Sequence, residues 1–442
     1  MRISQAASAR APGAATSVLF VLALAAAGHG LCFALTQPRL HPHYFDRDAD
    51  VEVNSTSSIS TDARMFYGHY ARLLMESGAY RTPAGPITSH MPGVSVLLAA
   101  SKRLAGHLGF YGLVQALALF AAVGVFAFSV VRRQTPFVAA GAALLFLIHP
   151  VNLYQSWSVN SDTIFIAFFL LSLVALAGEP VRPRQAAAAA LLLGAATYFR
   201  EVGLVCALGV ILGLAQSTPR RPAVFLLFAG VFLGALAPWM ARNALATGVP
   251  TPATSKALPT FLAWSFGVTT QDINPFDVGE GGVANNEWMH ARMQTFLAAH
   301  GFGPDERPPA SFYLKHGILN YLTQPVTHLR SLSLKLVNLL RPLVALRHLE
   351  RMLPGSLAVP LFWMLFVMHA MLVWFGLYLL LGSPSPGAPV LRWMLLGTVL
   401  LSLLTWAEPR YLVPFYPPLY ILALDRLQSL WKEWWLPVAG RG

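Results

Sequence analysis

The sequence predicts an all-α membrane protein, a polytopic bundle of about ten transmembrane helices with short interfacial helices in its first external loop. Three observations predict it. Apolar runs of about 14 to 26 residues recur along the chain, separated by Arg-rich or Gly/Pro-rich breaks. Only 11% of the 442 residues are charged and 55% are hydrophobic, whereas a soluble domain carries about 25% charged residues. The net charge of +12 is spread through short loops, a pattern of membrane topology rather than a nucleic-acid footprint.

Residues 1–37 read as the first transmembrane helix. The apolar run from Ser17 to Leu35 follows Arg2 and Arg10, which places its start in the cytoplasm. Ala25-Ala26-Ala27 resembles a signal-cleavage site, but the run is long for a signal core and precedes many other spans, so an uncleaved helix is expected. Residues 38–110 form the external loop. It opens with Asp46, Asp48, Asp50 and Glu52, then turns Ser/Thr-rich up to Thr61. From Asp62 to Tyr80 the pattern becomes helical, with Phe66, Tyr70, Leu73 and Leu74 on one face and Gly78 as the stop. This predicts a helix lying on the membrane surface, apolar face down. His90-Met91-Pro92-Gly93 opens a second interfacial segment, Val94 to Ala100, too short to span.

Residues 111–241 carry six predicted spans: 112–131, 136–153, 162–177, 185–199, 202–215 and 223–240. Arg132-Arg133, Arg182, Arg184 and Arg220-Arg221 mark the cytoplasmic turns. Residues 242–355 read as a long, mostly polar external region. Within it 326–341 is amphipathic, with Leu329, Leu332, Leu336, Leu339 and Leu340 opposed by Arg330, Lys335, Asn338 and Arg341. Residues 356–442 supply three last spans, at about 356–381, 391–406 and 411–428. Both termini then lie inside, and the basic residues are biased to that side. Cys32 and Cys206 both sit in apolar runs and offer neither a disulfide framework nor metal-ligand spacing. No internal repeat and no nucleotide-binding motif is evident.

This topology brings ionisable residues to one level at the outer edge: Asp62, Arg64 and His90 in the first loop, Asp162 opening a span, Arg200 and Glu201 closing one, Arg242 closing another, and Glu408 and Arg410 opening the last. Each alone is ordinary interfacial charge; together they suit an anionic phosphate beside a reaction that needs a base. Arginine binds phosphate oxygens bidentately, and a carboxylate can take a proton from an attacking hydroxyl. His41 and His43 beside Asp46 and Asp48 form a loose cluster that reads as solvated loop, leaving a divalent cation open. Asp272, Asp277, Glu280, Glu287 and His290 read as solvated, with contact to an acceptor left open. Trp239, Trp264, Trp288 and Trp406 read as interfacial belt residues, with sugar stacking open for Trp264.

Several short motifs stand in order on that face: Asp62-Ala63-Arg64 followed by Tyr67, Ala71, Leu74 and Gly78-Ala79-Tyr80; His90-Met91-Pro92-Gly93; Asn160-Ser161-Asp162; Arg200-Glu201; Pro238-Trp239-Met240-Ala241-Arg242-Asn243; and Glu408-Pro409-Arg410-Tyr411-Leu412-Val413-Pro414. With them the chain resembles the GT-C superfamily of integral-membrane glycosyltransferases, in the branch of glycosyltransferase family 39 that holds protein O-mannosyltransferases and lipid A or lipopolysaccharide-modifying enzymes. The resemblance covers most of residues 15–265 and returns at 405–425. It implies a GT-C-like bundle in the bacterial inner membrane and transfer of a sugar from a polyprenyl-phosphate donor to a lipid, glycan or protein acceptor on the external face. It implies Asp62 as catalytic base, with Asp48 or Asp50 as alternatives if the register shifts, and Asp162 as an acidic residue shaping the base or acceptor site. Arg64, Tyr67, His90, Arg200, Glu201, Arg242, Arg410 and Tyr411 would hold substrate and lipid phosphate. No resident metal or other cofactor is assigned, and no nucleic acid is expected. Two other readings stay open: a transporter or flippase of a lipid-linked saccharide, and an O-antigen-ligase-like transferase.

Overall fold

The structure, a computed structural model, describes residues 11–40, 42–55, 63–83, 85–178, 180–217, 222–248, 250–253, 257–266, 287–303, 308–340, 355–385, 387–404 and 409–439. Its helices are, in chain order, α1 (Ala11–Leu40), α2 (Val51–Asn54), α3 (His69–Ser77), α4 (Gly93–Ala105), α5 (Gly109–Val131), α6 (Pro136–Leu147) and α7 (Pro150–Gln155). They continue as α8 (Asp162–Leu176), α9 (Pro183–Thr197), α10 (Val202–Ser217), α11 (Pro222–Thr247), α12 (Ala257–Trp264), α13 (Glu287–Ala299) and α14 (Ala310–Thr323). The last are α15 (Pro325–Leu340), α16 (Gly355–Gly382), α17 (Ala388–Leu404) and α18 (Tyr416–Ala439). Among the described residues the only sheet is a two-stranded hairpin, with β1 (Arg81–Thr82) antiparallel to β2 (Gly85–Pro86).

Among the described residues four helices are long and apolar enough to cross a membrane: Ala15–Pro38 within α1, and α5, α11 and α16. Helices α6, α8, α10 and α17 are apolar but shorter. A helix of about 15 residues rises about 22 Å, most of the way through a hydrocarbon core of about 30 Å. The expected span 136–153 is broken because Pro150 has no N–H to continue a helix, while His149 Nδ1 accepts the Val151 N–H and starts α7. The expected last span opens as a 3₁₀ turn, Pro409–Phe415, before α18, in a stretch where Pro409, Pro414, Pro417 and Pro418 supply no donors.

The first helix belongs to the bundle. It packs on α5 and α6, and its buried His29 meets the Leu147 carbonyl through Nε2 at 2.7 Å and Ser156 Oγ through Nδ1 at 2.9 Å. Helices α10 and α17 pack closely along their length. A Cβ at Gly209 would stand 2.5 Å from the Met394 Cα, and one at Gly213 would stand 2.4 Å from the Val390 Cα. Two glycines one turn apart let backbones meet, a packing device of membrane helices.

The helix expected over 326–341 is present as α15. Lys335, Asn338, His328 and Ser331 are buried together with Leu339, while Leu329, Leu336, Val337 and Arg330 are exposed; Arg341 lies outside the described residues. The polar stripe turns inward because α15 packs on α17 and the 409–415 turn, where Lys335 Nζ donates to the Leu403 carbonyl at 2.8 Å.

Candidate functional site: a carboxylate between two guanidinium groups

Asp162 is set by the loop before it. Asn160 Oδ1 accepts the backbone N–H groups of Asp162 and Thr163, both at 2.9 Å, and so caps α8. The Asn160 amide donates to the Gln155 and Ser158 carbonyls, and Tyr111 Oη donates to the Asn160 carbonyl at 2.7 Å. The carboxylate therefore opens α8 almost fully buried, 5% exposed, at the helix end that favours negative charge.

Two arginines from distant parts of the chain converge on it. Arg200, in the turn between α9 and α10, pairs with Oδ1, and Arg410, in the 409–415 turn, reaches Oδ2 at 3.8 Å. The Arg200 guanidinium lies 4.8 Å from the Tyr411 ring centroid and that of Arg410 lies 6.0 Å from it, within cation–π range. Each Asp162 oxygen thus faces a guanidinium group, and the carboxylate holds the two arginines near one another. Arg200 is nearly buried, whereas the Arg410 side chain is 33% exposed and is the member an incoming anion could reach. Glu201 follows in the same turn, half-buried, its carbonyl accepting the Leu204 N–H.

The first loop is tied to this cluster. It has its own small core, in which Tyr44, Val51, Ala71, Val94 and Leu98 meet Val159 from the loop before Asp162, with Tyr67 and Phe199 against it. Gly93 N–H donates to the Tyr198 carbonyl at 2.9 Å, and a Cβ on Gly93 would lie 2.6 Å from that oxygen. The glycine of His90-Met91-Pro92-Gly93 is therefore required by a close backbone approach, two residues from Arg200. His90 sits among aromatic rings, 4.4 Å from Phe66, 5.9 Å from Tyr67 and 5.4 Å from Tyr70 between centroids, with Ser89 Oγ at 3.1 Å from Nδ1.

Arg242 is not part of the Asp162 cluster as described. Its guanidinium donates to the Tyr80 carbonyl at 2.7 Å, the Ile87 carbonyl at 2.6 Å and Asn243 Oδ1 at 3.1 Å, and stacks over Trp239 at 4.9 Å. It clamps the β1–β2 hairpin to α11. Asp62 lies outside the described residues. Arg64 lies in a π-helical turn, Ala63–Gly68, that leads into α3, with its side chain outside the described residues. Glu408, His41, Asp272, Asp277, Glu280 and Trp406 also lie outside them, as do the side chains of Trp264, Glu287, Trp288 and His290. Where the surface helix was expected to start at Asp62, α3 proper begins at His69 and ends at Gly78, whose φ of 67° suits glycine.

The alternative bases have structural duties or open exposure. Asp50 caps α2 by accepting the Val53 N–H at 2.8 Å, and Asp48 is exposed. Asp46 Oδ1 accepts the N–H groups of Asp48 and Ala49. Sequence reasoning missed the centre of this segment. Lys102 Nζ, reaching from α4, donates to the Ala49 carbonyl at 2.5 Å, Asn54 Oδ1 at 2.7 Å, the Arg47 carbonyl at 3.1 Å and the Asp46 carbonyl at 3.4 Å. The only signal was the run of acids facing a lone lysine; the acceptors themselves are mostly backbone. Burial pushes the Lys102 amine below its ordinary value, with the nearby carboxylates of Asp46, Asp50 and Asp48 opposing the shift.

A second missed feature is deeper in the bundle. His149 and His369 are fully buried with ring centroids 4.4 Å apart, and His369 Nδ1 is hydrogen-bonded with Tyr420 Oη. Among the described residues Nε2 of each histidine meets no hydrogen-bond partner. Among the described residues no three His, Cys, Asp or Glu side chains gather as metal ligands. Set against models of protein families and against curated proteins, the chain finds no match.

Proposed function

We propose that this chain is a GT-C-like glycosyltransferase of the bacterial inner membrane, with ten spans. It moves a sugar from a polyprenyl-phosphate donor to a lipid, glycan or protein acceptor at the extracytoplasmic face. The observation that carries this reading is the convergence of Arg200 and Arg410 on Asp162, beside the loop that bears Asp62. Guanidinium groups fixed in advance stabilise charge that develops on a departing phosphate. In this reading Asp62 takes the proton of the acceptor hydroxyl. The acceptor oxygen bonds to the anomeric carbon as the bond from that carbon to the phosphate oxygen breaks, with inversion. The electron pair leaves on the polyprenyl phosphate, met by Arg410 and Arg64.

The test uses membranes supplied with labelled polyprenyl-phosphate sugar. Asp62→Asn at normal expression is expected to lower transfer at least about 100-fold, the usual worth of a general base. Retained transfer would reject Asp62 as base and favour the O-antigen-ligase-like alternative. The buried His149–His369–Tyr420 cluster favours a second reading, a flippase of the lipid-linked saccharide, because ionisable groups within a bundle often line a path. Transfer unchanged by Asp62→Asn together with lipid translocation lost in His369→Phe would support that reading instead.

A further inference from the structure

Helix α15 turns a polar stripe inward, with Leu339 buried beside it. His328, Ser331, Lys335 and Asn338 fall at helical spacing on one stripe and are at most 3% exposed. Val326, Leu329, Leu336 and Val337 lie on the open flank, from 38% to 81% exposed. In water this arrangement loses on both sides, since apolar area stays wet at roughly 25 cal/mol per Å² while an amine and an amide are desolvated. The neighbouring apolar helix α17 has the same outer character, with Trp393, Leu396 and Leu400 exposed.

The depth of α15 follows from two contacts. Lys335 meets the carbonyl of Leu403, at the end of α17 that leads to the Arg410 turn. Further along α15, the Leu340 carbonyl accepts Trp374 Nε1 at 2.9 Å. Trp374 stands about eight residues before the far end of α16, or about 12 Å along the axis from the turn joining α16 to α17. The C-terminal end of α15 therefore lies alongside the apolar helices, well below the level of Leu403. On the open flank Ser333 Oγ returns its proton to the Leu329 carbonyl at 2.8 Å, the internal satisfaction that lipid demands. Arg330, also exposed, sits in the N-terminal half of the helix, where a long side chain can reach the interface.

We propose that α15 dips into the bilayer and forms a lipid-contacting wall of the bundle beside the Arg410 turn, its partner being the hydrocarbon chains of membrane lipids. The region 242–355 is then not wholly an external polar region. The inference concerns lipid contact alone and does not depend on glycosyl transfer.

The experiment takes the full chain reconstituted in liposomes of phosphatidylethanolamine and phosphatidylglycerol. A lipid-soluble diazirine probe is photolysed and the modified residues are mapped. Leu329, Leu336 and Val337 are expected to take label at least half as heavily as Leu396 and Leu400 of α17. Label on α17 with less than a tenth of that density on α15 would overturn the proposal. Spin labels at Leu336→Cys and Val337→Cys, in a chain carrying Cys32→Ala and Cys206→Ala, give a second reading. Oxygen should broaden their spectra more than a water-soluble nickel complex does, and the reverse order would overturn the proposal. If the cysteine variants do not fold, photolabelling of the unaltered chain decides alone. The Asp62→Asn assay is read separately, so failure of either idea leaves the other standing.

Discussion

Asp162 is the residue on which two otherwise unrelated segments depend. Replacing it with Asn removes the charge that the nearly buried Arg200 pairs with, and breaking a buried pair costs up to roughly 3–5 kcal/mol. Asp162→Asn is therefore expected to lower the thermal unfolding temperature in detergent by several degrees. Arg410→Ala should cost less, since its contact is longer and the side chain is a third exposed. These residues were legible in sequence because charges at the ends of apolar runs need a cavity or an interface. The distinct duty of Arg242 was not legible. A guanidinium ending a helix looks the same in sequence whether its partner is a carboxylate or, as here, the carbonyls of Tyr80 and Ile87. Lys102 was hidden for the same reason, because backbone oxygens carry no sequence signature.

At the scale of elements, the segment from Asp46 to Asn54 is organised around one ammonium. Its four oxygen contacts give the turn around Asp46 and the short α2 a common centre. Four oxygens facing inward without a cation would repel one another. Lys102→Ala is accordingly expected to loosen residues 43–55, seen as amide exchange at least tenfold faster there than in the unaltered chain, with α10 and α17 unchanged. Lys102→Arg should restore protection only in part, because a planar fork cannot match a point-like ammonium. Element existence was readable from the lengths of apolar runs, and α5, α10 and α11 fall where those runs lie. Interruptions were harder. The break at His149-Pro150 depends on a side-chain cap, and the inward polar stripe of α15 depends on what packs against it, neither of which periodicity reports.

For the molecule as a whole, the exterior is largely apolar, with exposed leucines and aromatics on α1, α16 and α17, while the polar networks gather inside around His29, Gln115, Asn160 and Asp162. That inversion of soluble-protein logic is what the low charge fraction announced. How far the first loop belongs to the bundle was less visible, since it rests on a close approach at one glycine. Gly93→Val would push a side chain onto the Tyr198 carbonyl, and overpacking of this kind costs about 1–3 kcal/mol. The expected result is a destabilised loop with exchange rising in both α4 and the end of α9, whereas exchange confined to α4 would show the two to be separate. Through the Gly93–Tyr198 bond the first loop and the Arg200 turn share a lever arm. A load placed on the hairpin or on α4 arrives, two residues past the fulcrum, at the guanidinium group that grips Asp162.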